Sequence, residues 1–541
     1  MARVLAIVFL LMPILAAAQE APDGSKIRVA TRLVQIGVTV HDKSGAVANL
    51  TQGDFTVYDR GKPQPIGVFS VISSSIAAPS VDQLPQNTFS DLPKFNPAAP
   101  GSITIVLLDN LNTLYGSAPT IFENTPRWME DHALANAKAH LLEYLKNLGL
   151  QDRVAIYGLS DGLHVLCDFT NDRSELLAIV ARYDAQSRTS REVVNPAAIV
   201  LPDQPPGGVP PPIDADRVRL AAVTDASRAT TTLAALKSIA DHVANIPGRK
   251  SLVWLSANLP FSAETMAAIL SPAQIAAYPV DGRGLLPRNS LTQENDTPLA
   301  EIGLPREMQP AGGAESADEP PGIDSMQRLA ELTGGKAFVN RNDLTEAIRE
   351  AVDDAAVLYT LGFYIEPRSA DGKFHELKVA VKGNGLSVRF PRGYFAFKDA
   401  LSTRNEVHNN WVTALSSPIG SSTIPLQARI QRVNEPAPNS LRISGVIDLH
   451  EVRMAENGKL REGVVDVTVV EQDISGKILS QSLNRLKLSL HPQQYEATLT
   501  TGVRFEKHVQ TSANAATLRI LVQDPATAEV GSLIVQLSQV K

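Results

Sequence analysis

The spacing of apolar residues changes twice along this chain of 541 residues, and the changes divide it into distinct units. Residues 26–75 alternate apolar and polar side chains, which predicts strands with one buried face. Residues 102–357 instead alternate short apolar runs with stretches of helical periodicity. Residues 422–541 return to a period of two. The pattern therefore predicts several domains, as the length of the chain also does.

The central unit has the pattern of an α/β fold. Ile103 to Leu108 is a continuous apolar run, which is expected of a strand buried on both faces. The strand–helix units that follow it predict a doubly wound, mainly parallel sheet. The predicted fold class is thus a multidomain chain in which a central α/β sheet of this kind is flanked by β-sandwich modules.

The flanking segments are predicted to be β structure joined by linkers. Residues 26–75 form a predicted N-terminal β module, and residues 358–398 have matching strand character, so we expect them to complete that module. Many short strands separated by turns predict a β-sandwich over 422–541. Residues 76–101, which are rich in proline, and residues 399–421 are predicted linkers.

Residues 1–18 have the features of a secretory signal peptide. Arg3 precedes an apolar run from Val4 to Leu15, and an A-x-A motif ends at Ala18. The run is shorter than the roughly 20 residues that a membrane-spanning helix needs. We therefore predict cleavage after Ala18 and export to the periplasm or the exterior, without a membrane span.

Charge and cysteine content exclude several classes of function. The chain has 50 Lys and Arg residues against 57 Asp and Glu residues, and its net charge of −7 includes no basic block. The electrostatic signature of a nucleic-acid binder is therefore missing. Cys167 is the single cysteine, which excludes a disulfide within the chain, and its apolar strand predicts a buried free thiol.

Six stretches of the central unit carry a family resemblance in their order along the chain. They are Val106–Thr113, Arg153–Tyr157, Thr230–Leu236, Pro247–Ser256, Tyr278–Gly284 and Leu332–Phe338. Together they resemble the von Willebrand factor type A (VWA) domain, in the divergent form found in exported proteins of soil acidobacteria. The resemblance covers roughly residues 102–357. It implies a domain that binds other macromolecules, often through a metal ion at the C-terminal end of the sheet.

The resemblance also implies a metal site made of an Asp-x-Ser-x-Ser motif, a separate Thr and a second Asp. Asp109, Thr113 and Thr230 match three of these positions. Leu111 and Ala257 occupy two others and have no side-chain oxygen. A hard divalent cation such as Mg²⁺ or Ca²⁺ needs several oxygen ligands at once, so the sequence favours no bound cofactor.

Three neighbouring polar residues complete the set of candidate binding residues. Asn112 follows the first strand, and Ser256 and Asn258 follow the strand that ends near Leu255. Without a metal ion, Asp109 and Asn112 are expected to organise the strand–helix loop by hydrogen bonds. The predicted site therefore either binds a metal ion or organises the strand–helix loop.

One motif suggests an enzyme. Gly158 to Gly162 matches the G-x-S-x-G elbow with Ser160 at its centre. In a hydrolase a helix follows that serine, whereas here Leu163 to Cys167 indicates a strand. A plain turn between two strands is the favoured interpretation.

The sequence therefore predicts an exported, non-enzymatic binding or adhesion-type protein. Its partner would be a protein or an envelope polymer, recognised through the VWA-like unit. Two alternatives stay open. One is an exported hydrolase that uses Ser160 or carboxylates near Asp109, and the other is an envelope scaffold without a separable ligand.

Overall fold

A computed structural model describes most of the chain, and the structural statements below refer to that part. The described ranges are 32–73, 84–92, 103–112, 138–149, 152–183, 215–246, 248–256, 258–259, 261–282, 322–341, 343–354, 357–366, 371–396, 401–434 and 439–541. Over 215–225 only the backbone is described. The predicted signal peptide at 1–18 lies outside these ranges.

Strands supply most of the regular structure. They are β1 (Arg32–Asp42), β2 (Gly45–Ala46), β3 (Phe55–Asp59), β4 (Lys62–Gln64), β5 (Val68–Ser73), β6 (Thr88–Ser90), β7 (Ile103–Asp109), β8 (Arg153–Leu159), β9 (Leu163–Thr170), β10 (Lys250–Ser256), β11 (Ile275–Asp281), β12 (Val357–Ile365), β13 (Phe374–Val381), β14 (Ser387–Arg389), β15 (Gly393–Phe395), β16 (Leu426–Val433), β17 (Ser440–Ile447), β18 (Ala455–Asn457), β19 (Leu460–Gln472), β20 (Ile478–Leu490), β21 (Val503–Gln510), β22 (Thr517–Gln523) and β23 (Val530–Gln536). The helices are α1 (138–146), α2 (Arg173–Arg182), α3 (Ala215–His242), α4 (Ala263–Leu270), α5 (Ile323–Thr333), α6 (Leu344–Asp353), α7 (Arg404–Ser416) and α8 (Pro492–Thr501).

Strands from the two ends of the central unit share the same two sheets. β1 pairs with β12 from Arg32↔Ile365 to Val38↔Tyr359, and β5 pairs with the other edge of β12. The second sheet has the order β15-β13-β3-β4. Apolar residues of both sheets form one core, in which the alternating side chains of β1 are buried. The period of two in the sequence therefore places these strands correctly.

The middle of the chain forms a five-stranded mixed sheet in the order β11-β10-β7-β8-β9. The first four strands run parallel, and β9 returns antiparallel to β8. Helices α3, α4 and α5 pack on one face, and helices α1, α2 and α6 pack on the other. The ends of β7 and β10 therefore lie at the same edge of the sheet.

The prediction of a central doubly wound, mainly parallel sheet as the basis of the fold is wrong. Strand residues outnumber helical residues, and four of the five described sheets contain antiparallel strand pairs throughout. Between described strands, parallel pairing is restricted to β11, β10, β7 and β8. The run Ile103–Leu108 does form a parallel strand, but the alternating segments on either side of the central unit supply most of the described strands, and those strands pair antiparallel. The chain is thus a mostly antiparallel β protein that contains one mixed sheet.

Two antiparallel sheets make up the C-terminal unit, and they enclose a single apolar core. One has the order β21-β17-β16-β6, and the other has the order β18-β19-β22-β23 with β20 on the far side of β19. The predicted linkers are only partly linkers, because 76–101 supplies β6 and 399–421 supplies α7. β6 has three residues, which is too short to show a period. α7 covers little of the sheet, and only Ala414 of its residues is fully buried.

The C-terminal end of α3 contacts the C-terminal unit through hydrogen bonds. Ser422 donates its backbone N–H to the Asp241 carbonyl over 2.9 Å, and its Oγ lies 2.9 Å from the His242 carbonyl. Asn245 donates its side-chain amide to the Ser422 carbonyl. His242 Nδ1 lies 2.8 Å from the Gly420 carbonyl oxygen. The mixed sheet and the C-terminal unit are therefore joined at the last turn of α3.

A buried carboxylate joins the N-terminal β strands to the mixed sheet. Asp354, which is fully buried at the end of α6, accepts hydrogen bonds from Thr39 Oγ1 over 3.1 Å and from Arg389 over 2.9 Å. Tyr278 of β11 donates to its other oxygen, and the Arg249 guanidinium lies 3.7 Å from that oxygen. Because these partners come from β1, β14, β11 and the residue before β10, the carboxylate ties separate parts of the fold together.

Removing this carboxylate should strongly destabilise the protein. Asp354→Ala leaves Arg249 buried without its nearest carboxylate, and loss of one partner of a buried ion pair costs about 3–5 kcal/mol. We expect a matching decrease in the free energy of unfolding, measured by urea denaturation followed by circular dichroism. The control is Asp353→Ala, which removes an exposed carboxylate one residue earlier and should change stability little. Equal effects of the two changes would contradict the proposed joint.

Lys250 is a buried amine at the start of β10. Its side chain is 2% exposed, and its Nζ donates to the Ile246 carbonyl oxygen over 2.7 Å. Burial lowers the pKa of Lys250 to about 7, because the interior penalises the charged form. Between about pH 7 and the ordinary value of 10.5, the unfolded chain therefore binds this proton more than the folded chain does.

Stability should consequently rise with pH over this window because of Lys250. We expect Lys250→Met to be more stable than the wild type near pH 7, and the difference in melting temperature to shrink as the pH approaches about 9. Thermal unfolding of both proteins at several pH values measures this difference. Lys146→Met, an exposed control on α1, should show no such trend. A gap between wild type and Lys250→Met that stays constant with pH would contradict the prediction.

Candidate functional site

The candidate site lies where β7 and β10 end, at the C-terminal edge of the mixed sheet. Asp109 is the last residue of β7 and is 1% exposed. Trp254 and Ser256 lie at the C-terminal end of the neighbouring strand β10 and are also buried. Both strands are buried on both faces, which holds these side chains in fixed positions.

Four N–H groups and one hydroxyl surround the Asp109 carboxylate. Oδ1 accepts from the backbone N–H groups of Leu111 over 3.0 Å and of Asn112 over 2.9 Å. Oδ2 accepts over 2.9 Å from the Asn112 side-chain amide, from Trp254 Nε1 and from Ser256 Oγ. The Ser256 hydroxyl also lies 2.7 Å from the Asn258 carbonyl, so its single proton serves one acceptor at a time.

Burial raises the pKa of Asp109, and the hydrogen bonds from Asn112, Trp254 and Ser256 oppose this rise. Every donor is electrically neutral, so dipoles rather than a cation stabilise the buried carboxylate. Oδ1 accepts from two donors and Oδ2 from three. Both oxygens of the carboxylate are therefore fully hydrogen-bonded within the protein. The arrangement organises the loop after β7, as the hydrogen-bond interpretation of the sequence predicts.

Asn112 extends the network to helix α3. Its side-chain amide donates to Thr232 Oγ1 over 3.0 Å, and Thr232 donates in turn to the Arg228 carbonyl. Thr230, which the resemblance matched to a metal ligand, is exposed and donates to the Ala226 carbonyl of its own helix. Two residues are about 200° apart around a helix, so these two threonines lie on opposite faces.

The structure brings together only part of the predicted set. Asp109, Asn112 and Ser256 meet, whereas Asn258 points its Oδ1 to the backbone N–H of Leu259 over 2.8 Å. Thr113 and Ala257 lie outside the described residues, and Leu111 packs against the apolar core. In the described ranges, no group of three or more His, Cys, Asp or Glu side chains is placed to hold a metal ion.

Sequence reasoning missed Thr232 and Trp254. The spacing of Thr232 with the buried residues Ala235, Leu236 and Ile239 is the helical signal that assigns it to the inner face of α3. An aromatic residue in an apolar strand predicts core packing, which holds for Trp254. Its donor nitrogen needs a partner when buried, and this requirement is the signal that links it to a strand-end acceptor.

The G-x-S-x-G motif forms a turn between β8 and β9, as predicted from the following strand. Ser160 Oγ donates to Asp161 Oδ1 over 2.9 Å, and His164 Nε2 lies 2.7 Å from the same oxygen. These two hydrogen bonds lower the pKa of Asp161. The histidine therefore contacts the aspartate and not the serine, so the order of a hydrolase triad is absent from this turn. Cys167 is buried as predicted, and burial raises its thiol pKa to about 11.

No protein-family model and no curated protein sequence matches this chain. Several solved structures share some similarity with it. An aerotolerance-related membrane protein from Bacteroides fragilis has a TM-score of 0.24 and 12% identity, covering 47% of this chain and 98% of that one. The conserved hypothetical protein BatB from Bacteroides thetaiotaomicron has a TM-score of 0.23 and 12% identity, covering 47% and 99%. The pilus adhesin SpaC from Lactobacillus rhamnosus GG has a TM-score of 0.22 and 9% identity, covering 81% and 54%.

Likeness at these TM-scores assigns neither fold nor function to the chain. The described helices also include none that is long and apolar enough to cross a membrane.

Replacing Asp109 should destabilise the folded chain. Asp109→Asn keeps the shape but turns one acceptor into a donor that faces the N–H groups around it. Each buried donor left without an acceptor costs about 1–3 kcal/mol, so we expect a total loss of about 3 kcal/mol. Urea denaturation measures this loss, with Asp161→Asn, which alters an exposed carboxylate, as the control. A change at Asp109 as small as the one at Asp161 would show that the network contributes little.

Proposed function

We propose that this protein is an exported, non-enzymatic binding protein that recognises a macromolecular partner of the cell envelope at the C-terminal edge of its mixed sheet. The observation that carries the proposal is the hydrogen-bonding role of the Asp109 carboxylate. Its carboxylate is surrounded by neutral donors and holds the loop after β7, so it serves as an anchor for a surface. Binding at this edge therefore needs no metal ion.

The edge joins two adjacent loops into one rigid surface. The backbone N–H groups of Asn110 and Leu111 donate to the Leu159 carbonyl over 2.8 and 3.1 Å, which ties the loop after β7 to the end of β8. The β8–β9 turn follows directly, and the Asp161 side chain on it is 68% exposed. A rigid scaffold that presents exposed polar loops is typical of recognition sites.

The same turn argues against the hydrolase alternative. Ser160 is 8% exposed, and its nearest polar side chain is Asp161, which His164 also contacts. A serine nucleophile needs a base on its own hydroxyl, with that base oriented by a third group. Within the described part of the chain, the turn does not supply this order, so binding is the better proposal.

The test measures binding to isolated envelope material. Purified protein is mixed with peptidoglycan sacculi or with outer-membrane vesicles, sedimented and quantified, in EDTA and in Mg²⁺ or Ca²⁺. We expect saturable binding that the cations do not change. Asp161→Lys should change the affinity about fivefold, because it reverses the charge of an exposed side chain at this edge.

Glu175→Lys is the matched control, since it reverses an exposed acidic residue on α2, which begins at the opposite edge of the sheet. This variant should bind as the wild type does. Absence of saturable binding, or an equal change of affinity in both variants, would overturn the proposal. Binding that disappears in EDTA and returns with Mg²⁺ would instead support a metal-dependent site.

A further inference from the structure

Strand β20 forms a long edge of the C-terminal unit. Its 13 residues pair with β19 from Arg461↔Leu490 to Gln472↔Ile478. The other side of β19 is taken by β18 and β22. Among the described strands, β20 therefore has a partner on one side only. Such an edge presents a row of backbone N–H and C=O groups that can pair with an additional strand.

The edge carries apolar side chains where a soluble protein usually carries charges. Leu483 is 58% exposed and Ile478 is 43% exposed, and Ile474 at the tip of the β19–β20 hairpin is 96% exposed. The tip is ordered, because the Asp473 carboxylate accepts from the backbone N–H groups of Ser475 and Lys477 over 2.9 and 3.0 Å. β20 contains no proline, and its two charged residues, Arg485 and Lys487, lie in the half of the strand away from the hairpin tip, so the apolar half carries no charge against edge pairing.

Exposed side chains of β20 form a row on the sheet face opposite the C-terminal core. Leu483 lies opposite Thr468, and Arg485 lies opposite Asp466, with which it makes two contacts of 2.7 Å. Lys487 continues the row and is exposed. Along the strand, the row runs from Ile478 and the exposed Gln481 through the apolar Leu483 to the basic Arg485 and Lys487.

This pattern favours an acidic partner over a second copy of the chain. β20 contains two basic residues and no acidic residue. In any antiparallel register, two copies place no carboxylate of β20 opposite Arg485 or Lys487; pairing about Asn484 also places Leu483 opposite Arg485, and pairing about Arg485 places that residue opposite itself. An extended segment with acidic residues opposite Arg485 and Lys487, and apolar residues opposite Leu483, matches both halves of the row.

We infer that β20 binds an extended acidic–apolar peptide segment of another protein, which adds as an antiparallel strand to this edge. Backbone hydrogen bonds supply the pairing, and the row of side chains supplies the selection, as in other cases of strand addition. This surface belongs to the C-terminal unit and does not depend on the Asp109 edge. Its partner is defined by chemistry: a segment of alternating side chains that places two carboxylates, followed by an apolar group, on one face.

The test uses a fluorescein-labelled synthetic peptide, TETETVTVT, whose two Glu and first Val lie opposite Lys487, Arg485 and Leu483 in antiparallel pairing, and the matched peptide TKTKTVTVT. Binding to the full chain is measured by fluorescence anisotropy. We expect saturable binding of the acidic peptide and at least about tenfold weaker binding of the basic one, because opposite charges across a strand pair attract and like charges repel. Lys487→Glu should reverse this preference.

Lys459→Glu is the control variant, since Lys459 is exposed on the β18–β19 turn at the other side of the sheet. It should leave the preference unchanged. The backbone amides of TETETVTVT form two alternate sets, and only one set points toward β20 when the peptide is paired. N-methylation of that set removes the donors and should abolish binding, whereas N-methylation of the other set should not. Hydrogen exchange of the β20 amides should slow when the peptide is bound.

Absence of saturable binding, or equal affinity for the two peptides, would overturn the inference. Binding that survives N-methylation of both sets would also overturn it, because the edge would then attract any polyanion. Sedimentation equilibrium gives the last check. If the chain forms a dimer without peptide, and the β20 amides are already protected from hydrogen exchange in that dimer, a second copy rather than a peptide occupies this edge. Asp161→Lys should bind the peptide normally, so failure here is distinguishable from failure at the mixed-sheet edge.

Discussion

A buried carboxylate without a neighbouring cation is the constraint on which the candidate site depends. A charge in the protein interior must be stabilised by hydrogen bonds, or it shifts to its neutral form. At Asp109 the donors come from the loop after β7 and from β10, and Asn112, one of these donors, also donates to Thr232 of α3. The side chains of Asp109 and Asn112 together therefore hold the loop, β10 and α3 in a single arrangement at the edge of the sheet.

The buried charge of Asp354 is stabilised differently. It is equally buried, but it accepts from Arg389 and lies 3.7 Å from Arg249, so cations as well as hydroxyls compensate its charge. Its partners belong to the N-terminal strands and to the mixed sheet, and it therefore acts as a joint in the fold. The neutral donors at Asp109 belong to β10 and to the loop after β7, which leaves this edge of the sheet available as a surface.

Periodicity in the sequence predicts the elements better than it predicts their arrangement. The alternation of Val34 and Ile36 and the run from Ile103 to Leu108 each mark a real strand, and Ser160 lies in the turn that the following strand predicts. Strand direction depends on where each connection crosses the sheet, which no local pattern records. β6 and α7 were missed because one is three residues long and the other buries little.

The site shows the same limit at the level of single residues. A spacing match selected Thr230, whereas helix geometry turns Thr232 inward to meet Asn112. Thr232 and His242 lie ten residues apart on α3, which corresponds to about 15 Å along the helix. One of them contacts the Asp109 network and the other contacts the segment at Gly420. The same helix therefore supports the proposed binding edge and the junction with the C-terminal unit, so these two parts of the protein are held by one rigid element.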